Sequence, residues 1–364
     1  MSNILIEEFS PACNIQAFVE EYDDCTYFYL WNFPGEEHSS VSSCWIRNYS
    51  AAPEKLDVQA MKDGNAPMLT VEYCAHPDGA EKLQPEDLSI IWFEECDAAA
   101  LLYKNEILSI IPSWSGMGED YKYPGYARDC IKESNLCFPL GTPDTNVLFK
   151  RVETSMRFWQ SWDNNPWPSI QQNFVDAITS SLGSIEKYYA IDGGKWPPKA
   201  MVKVVRENIT YIVTLGVSLL PQPKVEQYAD QPELLRRFEF AFAIESEWLS
   251  KNERQMLRYI SSQTSLPWSN LIFLADGHTI PCKEVSTIKN NFEFVLLSKP
   301  EAAPRINLPS INGDTINLLW IIPITPKERN YAEKNGSDKL IAKSKDKSHW
   351  IFNGKSKFLK ESWF

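Results

Sequence analysis

Short apolar or alternating runs dominate this chain, and only a few windows keep a helical period. In the first part, CTYFYLW (25–31), LSIIWFEE (88–95) and AAALLYKNEILSIIP (98–112) read as strands. Lys104-Asn105-Glu106 separates two apolar stretches and predicts a hairpin turn, hence an antiparallel sheet. The segment PSWSGMGEDYKYPGYARD (112–129) then reads as a long aromatic loop. Val147, Leu148, Val152, Met156, Phe158 and Trp159 recur at helical spacing and predict a helix over 146–162. DNNPWP (163–168) breaks it and is the expected boundary. A second helix is expected over 169–182, stopped by Gly183.

The second half returns to strands. IEKYYAI (185–191), MVKVV (201–205) and ITYIVTLGV (209–217) are joined by Asp192-Gly193-Gly194 and Arg206-Glu207-Asn208 as turns. RRFEFAFAI (236–244) places Phe238, Phe240 and Phe242 on one face and Glu239, Ala241 and Ala243 on the other. Ser250-x-x-Glu253 reads as a capping box opening a helix to about 262, which Pro267 terminates. FEFVLLS (292–298) and INLLWIIPI (316–324) are strands again. Thr325-Pro326-Lys327-Glu328 has the N-cap, first-position Pro and third-position Glu of a helix start, and Asn335-Gly336 ends that helix. The Lys-rich tail beyond it is expected to fray or dock loosely.

Length and composition support two or three folded domains, because 43% hydrophobic and 13% aromatic residues suffice for true cores. The expected division is an acidic β-rich module over 1–165, a second domain over 166–345 and a Lys-rich tail over 346–364, an α+β chain in all. The start, MSNILIEEFSPACNIQ, lacks a basic region followed by a long apolar run. No stretch has the ~18–20 apolar residues of a spanning helix. A soluble, cytoplasmic protein is expected. Seven of the eight Cys lie between Cys13 and Cys137, none in a C-x-x-C pair, and the four His are scattered. Buried free thiols are therefore expected rather than disulfides or a zinc site.

Charge changes the picture once it is divided. Residues 1–150 hold 25 Asp and Glu against nine Lys and Arg, a net −16 of the chain's −12; residues 151–338 stand at −1 and 339–364 at +5. Nucleic acid is a poor partner for such a front half, since its affinity comes from protein cations. A basic protein suits it, because opposite fields speed encounter.

The chemical motifs are weak. Ser218 stands just beyond a strand, as a nucleophile would, but Gly216-Val217-Ser218-Leu219-Leu220 lacks the second Gly of a nucleophile elbow, and Pro221 and Pro223 bar an immediate helix. Gly116-Met117-Gly118 lacks the lysine of a phosphate loop, and Asp276-Gly277-His278 reads as a turn. Glu94 and Glu95, adjacent on an expected strand, point apart. No cofactor, metal or catalytic signature is present. The binding candidates come from the aromatic loop: Trp114, Met117, Glu119, Asp120, Tyr121, Tyr123, Tyr126 and Arg128 are residue types that anchor protein interfaces. The alternative is that the rings of this loop fold onto their own sheet.

The ordered pieces of the second half are similar to a known family. ITYIVTLGVS, PELLRR with FEFAF, SLPW (265–268), LADGHTIP (274–281), FVLLS and LLWIIPITPKE (318–328) together resemble the suppressor of fused domain in its bacterial form, over roughly 170–345. The resemblance implies a mixed sheet flanked by helices, no catalytic centre, and Gly216, Ser218, Arg237, Glu239, Pro267, Trp268, Gly277, Pro323 and Glu328 as fold determinants. It also implies a protein-binding role: the animal member holds an extended segment of a transcription factor, and bacterial relatives are proposed immunity proteins that neutralise a toxin domain. The first 165 residues do not match the animal N-terminal lobe. The expectation is a non-enzymatic binding protein that occludes a basic toxin. The rivals are a scaffold without a toxin partner, or a hydrolase using carboxylates or His278 in an interdomain cleft.

Overall fold

The structure is a computed structural model that describes residues 2–62, 64–116, 124–282 and 292–359. The chain is α+β and divides into two compact units. One comprises Met1–Asn164 with Glu226–Tyr228 and Trp268–Leu271; the other comprises Asn165–Val225, Ala229–Pro267 and Ile272–Phe364.

The N-terminal unit carries two sheets. Strands β1 (Asn3–Phe9), β2 (Ile15–Glu21), β3 (Cys25–Asn32) and β4 (Ser40–Asn48) form an antiparallel meander in sequence order. Only β3 stands out in the pattern of apolar residues. In β2 the buried positions are Ile15, Ala17 and Val19, alternating with half-exposed Gln16, Phe18 and Glu20. The edge strand β1 exposes Glu7, Glu8 and Phe9 and half-buries only Leu5 and Ile6, so its apolar run is too short to signal a strand.

The second sheet orders β5 (Leu88–Trp92), β6 (Ala99–Tyr103), β7 (Glu106–Ile111), β8 (Tyr126–Ala127) and β9 (Phe138–Pro139). The β6–β7 turn falls on Lys104 and Asn105, with φ of 53° and 66°. Two left-handed residues in succession match the twist of the flanking strands, which is why a polar pair interrupts the apolar run there. The helix Leu148–Ser161 presents Leu148 and Val152 to a core of Phe93, Ala100, Leu102, Ile110 and Leu140. Trp159 Nε1 donates to Trp92 O at 2.7 Å, tying the helix to the end of β5.

Glu94 and Glu95 do not lie on a strand, since β5 ends at Trp92. They sit in the tight connection to β6, where Cys96 adopts φ of 65°, and both are buried. Burial is tolerated at Glu95 because Arg151 on the following helix donates to both carboxylate oxygens at 2.9 Å. All eight cysteines are buried, and none is joined in a disulfide. Burial pushes the Cys25 and Cys44 thiols up to about 12, so they are protonated at neutral pH and unsuited to nucleophilic or metal chemistry.

The C-terminal unit begins with the helix Trp167–Leu182, ended by Gly183 at φ of 107°. Its main sheet has the order β10-β11-β12-β13-β16-β15-β14: β10 (Ile185–Ala190), β11 (Ala200–Arg206), β12 (Ile209–Leu215), β13 (Arg237–Glu245), β14 (Thr279–Pro281), β15 (Phe294–Ser298) and β16 (Ile316–Ile324). Along this order pairing is antiparallel except between β13 and β16, which makes the sheet mixed. Phe174, Ile178 and Leu182 of the helix meet Val202, Val213, Leu215, Trp320 and Ile322 in the core. β13 is buried on both faces from Arg237 to Ile244, so its alternation separates two interiors rather than interior from solvent.

Three local expectations are corrected here. Ser250 does not cap the following helix; it ends a short helix, Ser246–Ser250, and its hydroxyl donates to Glu247 O. The next helix runs Glu253–Gln263 with Asn252 at the N-cap and no side-chain cap. Pro267 does not stop that helix: it is the second residue of another short one, Leu266–Asn270, where a proline lacking its N–H is at no disadvantage. The Lys-rich tail does not fray over its described part. Residues Ile351–Phe352 form β17, which pairs in parallel with Ala243 and Ile244 of β13, and Trp350, Phe352 and Phe358 are buried. The lysines flank these aromatics and hide the pattern.

Candidate interaction surface

The residues carrying the family resemblance assemble around the start of β13. Gly216 has φ of 91°, and a Cβ there would stand 2.3 Å from Pro198 O, so only glycine fits this exit from β12. The turn it allows points the backbone N–H groups of Gly216 and Ser218 at Glu239 Oε1, each at 2.9 Å. The Ser218 hydroxyl donates to the same oxygen at 2.6 Å, and Thr214 Oγ1 donates to Oε2 at 2.7 Å. Glu239 is fully buried. Burial raises its carboxyl above the ordinary range, and the four donors pull it back.

Two residues earlier, Arg237 is equally buried. Its Nε donates to Asp314 Oδ2 at 2.8 Å, and Nη1 donates to Ser218 O and Leu219 O at 2.9 and 2.8 Å. Glu239 and Arg237 thus grip opposite polarities of one short turn: the carboxylate takes its N–H groups, the guanidinium its carbonyls. Ser218 is fully buried, and its proton is spent on Glu239. Lys199 lies close enough to feel Glu239; burial lowers its ammonium to about 8, and it donates to Thr264 O and Ser265 Oγ.

The remaining family positions act locally. Thr325 and Glu328 form the capping box at the helix Pro326–Asn335. Glu328 Oε1 also accepts from Ser356 Oγ and from the backbone N–H groups of Phe358 and Leu359, fastening the tail to that helix start. Thr325→Ala is expected to cost about 1 kcal/mol of stability, measured by urea unfolding, with less than about 0.3 counting against the cap. Gly277 lies at φ of 85° in a turn whose Asp276 accepts from Lys299 N at 2.9 Å. His278 stacks obliquely on Phe273, and burial lowers its imidazole. Pro323 pairs with Val295, and Pro267 and Trp268 are buried. None of these positions offers an exposed functional group in the manner of a binding surface.

The loop candidates divide differently. Met117, Glu119, Asp120, Tyr121 and Tyr123 lie outside the described residues. Trp114 and Tyr126 are half-buried, packed against the core of Phe93, Leu102 and Ile110, and Tyr126 meets Phe138 edge-on at 5.9 Å. Arg128 donates to Glu106 at 3.0 Å.

The acidity of the N-terminal unit, by contrast, is largely displayed. Glu7, Glu8, Glu37, Glu54, Asp78 and Glu86 are exposed, while Glu94, Glu95, Asp97 and Asp129 are buried. Asp129 is consumed by Arg47, at 2.6 Å. A cavity of about 540 Å³ in this unit has Asp23, Asp24 and Asp57 in its wall, beside Tyr22. Sequence reasoning found the charge and not the cavity, because its lining comes from the β2–β3 turn and from residues 53–68, which carry no motif.

Among the described residues no group of three or more His, Cys, Asp or Glu is arranged to hold a metal, and no helix is long and apolar enough to cross a membrane. No curated protein matches the chain. The family model described as suppressor of fused protein matches residues 196–353. It begins later than the resemblance marked out above and extends to β17, the strand that the tail adds to β13. The family is one of binding and regulation, and the match carries that general role. Residues 196–353 of this chain are a suppressor of fused domain.

Proposed function

We propose that this protein is a bacterial, cytoplasmic immunity protein that neutralises a toxin by covering its active surface. The observation that carries this reading is the charge division: a net −16 over residues 1–150 against −1 over 151–338. A surface of that sign attracts a basic protein and orients it before contact. Toxin domains that act on nucleic acid present such basic surfaces, because they must themselves neutralise phosphates. The acidic cavity at Asp23, Asp24 and Asp57 supports the reading as a receptacle for a lysine or arginine side chain. Trp114, Tyr126 and Arg128 border the loop that adds the aromatic contacts. The suppressor of fused domain supports a role by binding rather than by catalysis.

The test is reversal of charge on the two halves. A basic protein captured by the full chain from its native host is measured against two variants. Lysine at Glu37, Glu54, Asp78 and Glu86 is expected to weaken binding about tenfold or more at low salt, chiefly through association rate. Lysine at Glu186, Glu207, Glu233 and Glu247 is expected to change it far less. Equal effects would remove the acidic module as the reader, and failure of the captured protein to harm cells lacking this chain would remove the toxin.

A further inference from the structure

A groove of about 1000 Å³ lies wholly within the C-terminal unit, between strand β10 and the start of the helix Glu253–Gln263. Its wall has the reverse polarity of the N-terminal unit, with Lys187, Lys251, Arg254 and Arg258 contributing cations. The single carboxylate among them, Glu253, is already engaged: Lys203 and the Tyr189 hydroxyl each reach its Oε1 at 3.1 Å. Lys251 pairs with Glu247 at 2.9 Å, and Lys187 sits over the Tyr189 ring at 4.9 Å. Arg254 and Arg258 are exposed and have no ion pair among the described residues, in a chain with 48 Asp and Glu against 36 Lys and Arg. The helix start adds to the field. Asn252 turns its side-chain amide to Trp248 O at 2.9 Å instead of capping, so no side chain covers the positive end of the helix dipole, although Gln255 N–H is taken by Asn252 O at 3.1 Å.

We propose that this groove binds an acidic, extended segment of a protein partner. Arg254 and Arg258 stand four residues apart on one helix face, which spaces their stems by about 5–6 Å. Alternate side chains of an extended strand stand about 6.6 Å apart. Carboxylates at every second position therefore meet the two guanidinium groups in turn. A single oxyanion fits less well, because the volume exceeds it many times over and the cations spread from strand to helix rather than converging. The Tyr189 ring and Leu257 supply apolar wall for the stems of the bound residues. This site is separate from the acidic module and of opposite preference, so it stands or falls independently of toxin neutralisation.

The test uses the full chain and a fluorescein-labelled peptide alternating Asp and Ala over eight residues, read by anisotropy at low salt. The chain's net −12 repels such a peptide, so binding requires a local cationic site. Saturable binding is expected, weakened about tenfold or more by Arg254→Gln with Arg258→Gln. An Asn-Ala peptide is expected not to bind. Arg254→Lys with Arg258→Lys, which keeps the charge, is expected to restore part of the affinity. Undiminished binding by the glutamine variant overturns the proposal. So does loss of binding on Lys339→Gln with Lys345→Gln, which would place the site on the tail. Equal, equally Arg-dependent capture of a single-stranded oligonucleotide would assign the groove to nucleic acid and also overturn it.

Discussion

Glu239→Ala destabilises the C-terminal unit by about 3–5 kcal/mol, and Glu239→Gln by about 1–2. Truncation leaves four donors without an acceptor: the N–H groups of Gly216 and Ser218 and the hydroxyls of Ser218 and Thr214. Each buried unsatisfied donor costs about 1–3 kcal/mol, while relief from burying a carboxylate offsets part of the sum. The amide is gentler because its oxygen, placed at Oε1, keeps three of the four bonds. Its NH2 then faces Thr214, whose hydroxyl has a second acceptor in Phe240 O at 3.4 Å. Hydrogen exchange of β12 and β13 amides reads the loss directly, at about tenfold in protection per 1.4 kcal/mol. Equal losses for the two substitutions would mean that packing volume, not hydrogen bonding, holds this turn.

Arg237→Ala is expected to cost about 3–4 kcal/mol. Asp314 loses its guanidinium, and Ser218 O and Leu219 O lose their donors. The cost stays below the upper end because Arg236 Nη1 stands 3.9 Å from Asp314 Oδ1 and retains part of the field. Arg237→Lys recovers little, since one ammonium cannot span a carboxylate and two carbonyls held by separate nitrogens. Replacing the pair together, Arg237→Met with Asp314→Leu, is expected to be less harmful than Arg237→Ala alone, because the charge left uncompensated is what costs most. Urea unfolding of the three variants checks this order. A double variant worse than Arg237→Ala would show that the ion pair itself, rather than its disruption, governs stability.

Much of the fold was legible because local signals agreed with the global one. The Lys104–Asn105 turn, the Leu148–Ser161 and Trp167–Leu182 helices, Gly183 and the Thr325 start each combine a hydrophobic pattern with its matching terminator. The failures have physical causes too. Ser250 and Glu253 have the spacing of a capping box, yet Asn252 lies nearer the helix start and occupies the N-cap. Strand β1 offers only the short run Ile4-Leu5-Ile6 before its acidic end, being an edge. The buried side of the tail is carried by Trp350, Phe352 and Phe358, too few and too widely set among lysines to register as a period. The acidic surface was legible as composition. The roles of Glu239 and Arg237 were legible only as family positions, because what each grips, a turn some twenty residues upstream, is a matter of tertiary geometry.

The pairing of β17 with β13 has a bearing on how the molecule comes into being. The meander β1–β4 closes through neighbours in sequence and can form as soon as it emerges from the ribosome. Strand β13 must instead wait, first for β16 and then for Ile351 and Phe352, before its outer edge is covered. During synthesis the acidic module is therefore mature while an apolar strand further along still lacks its neighbour. A nascent chain in that condition already wears its negative coat, which discourages clumping with its siblings over the interval when it is most vulnerable.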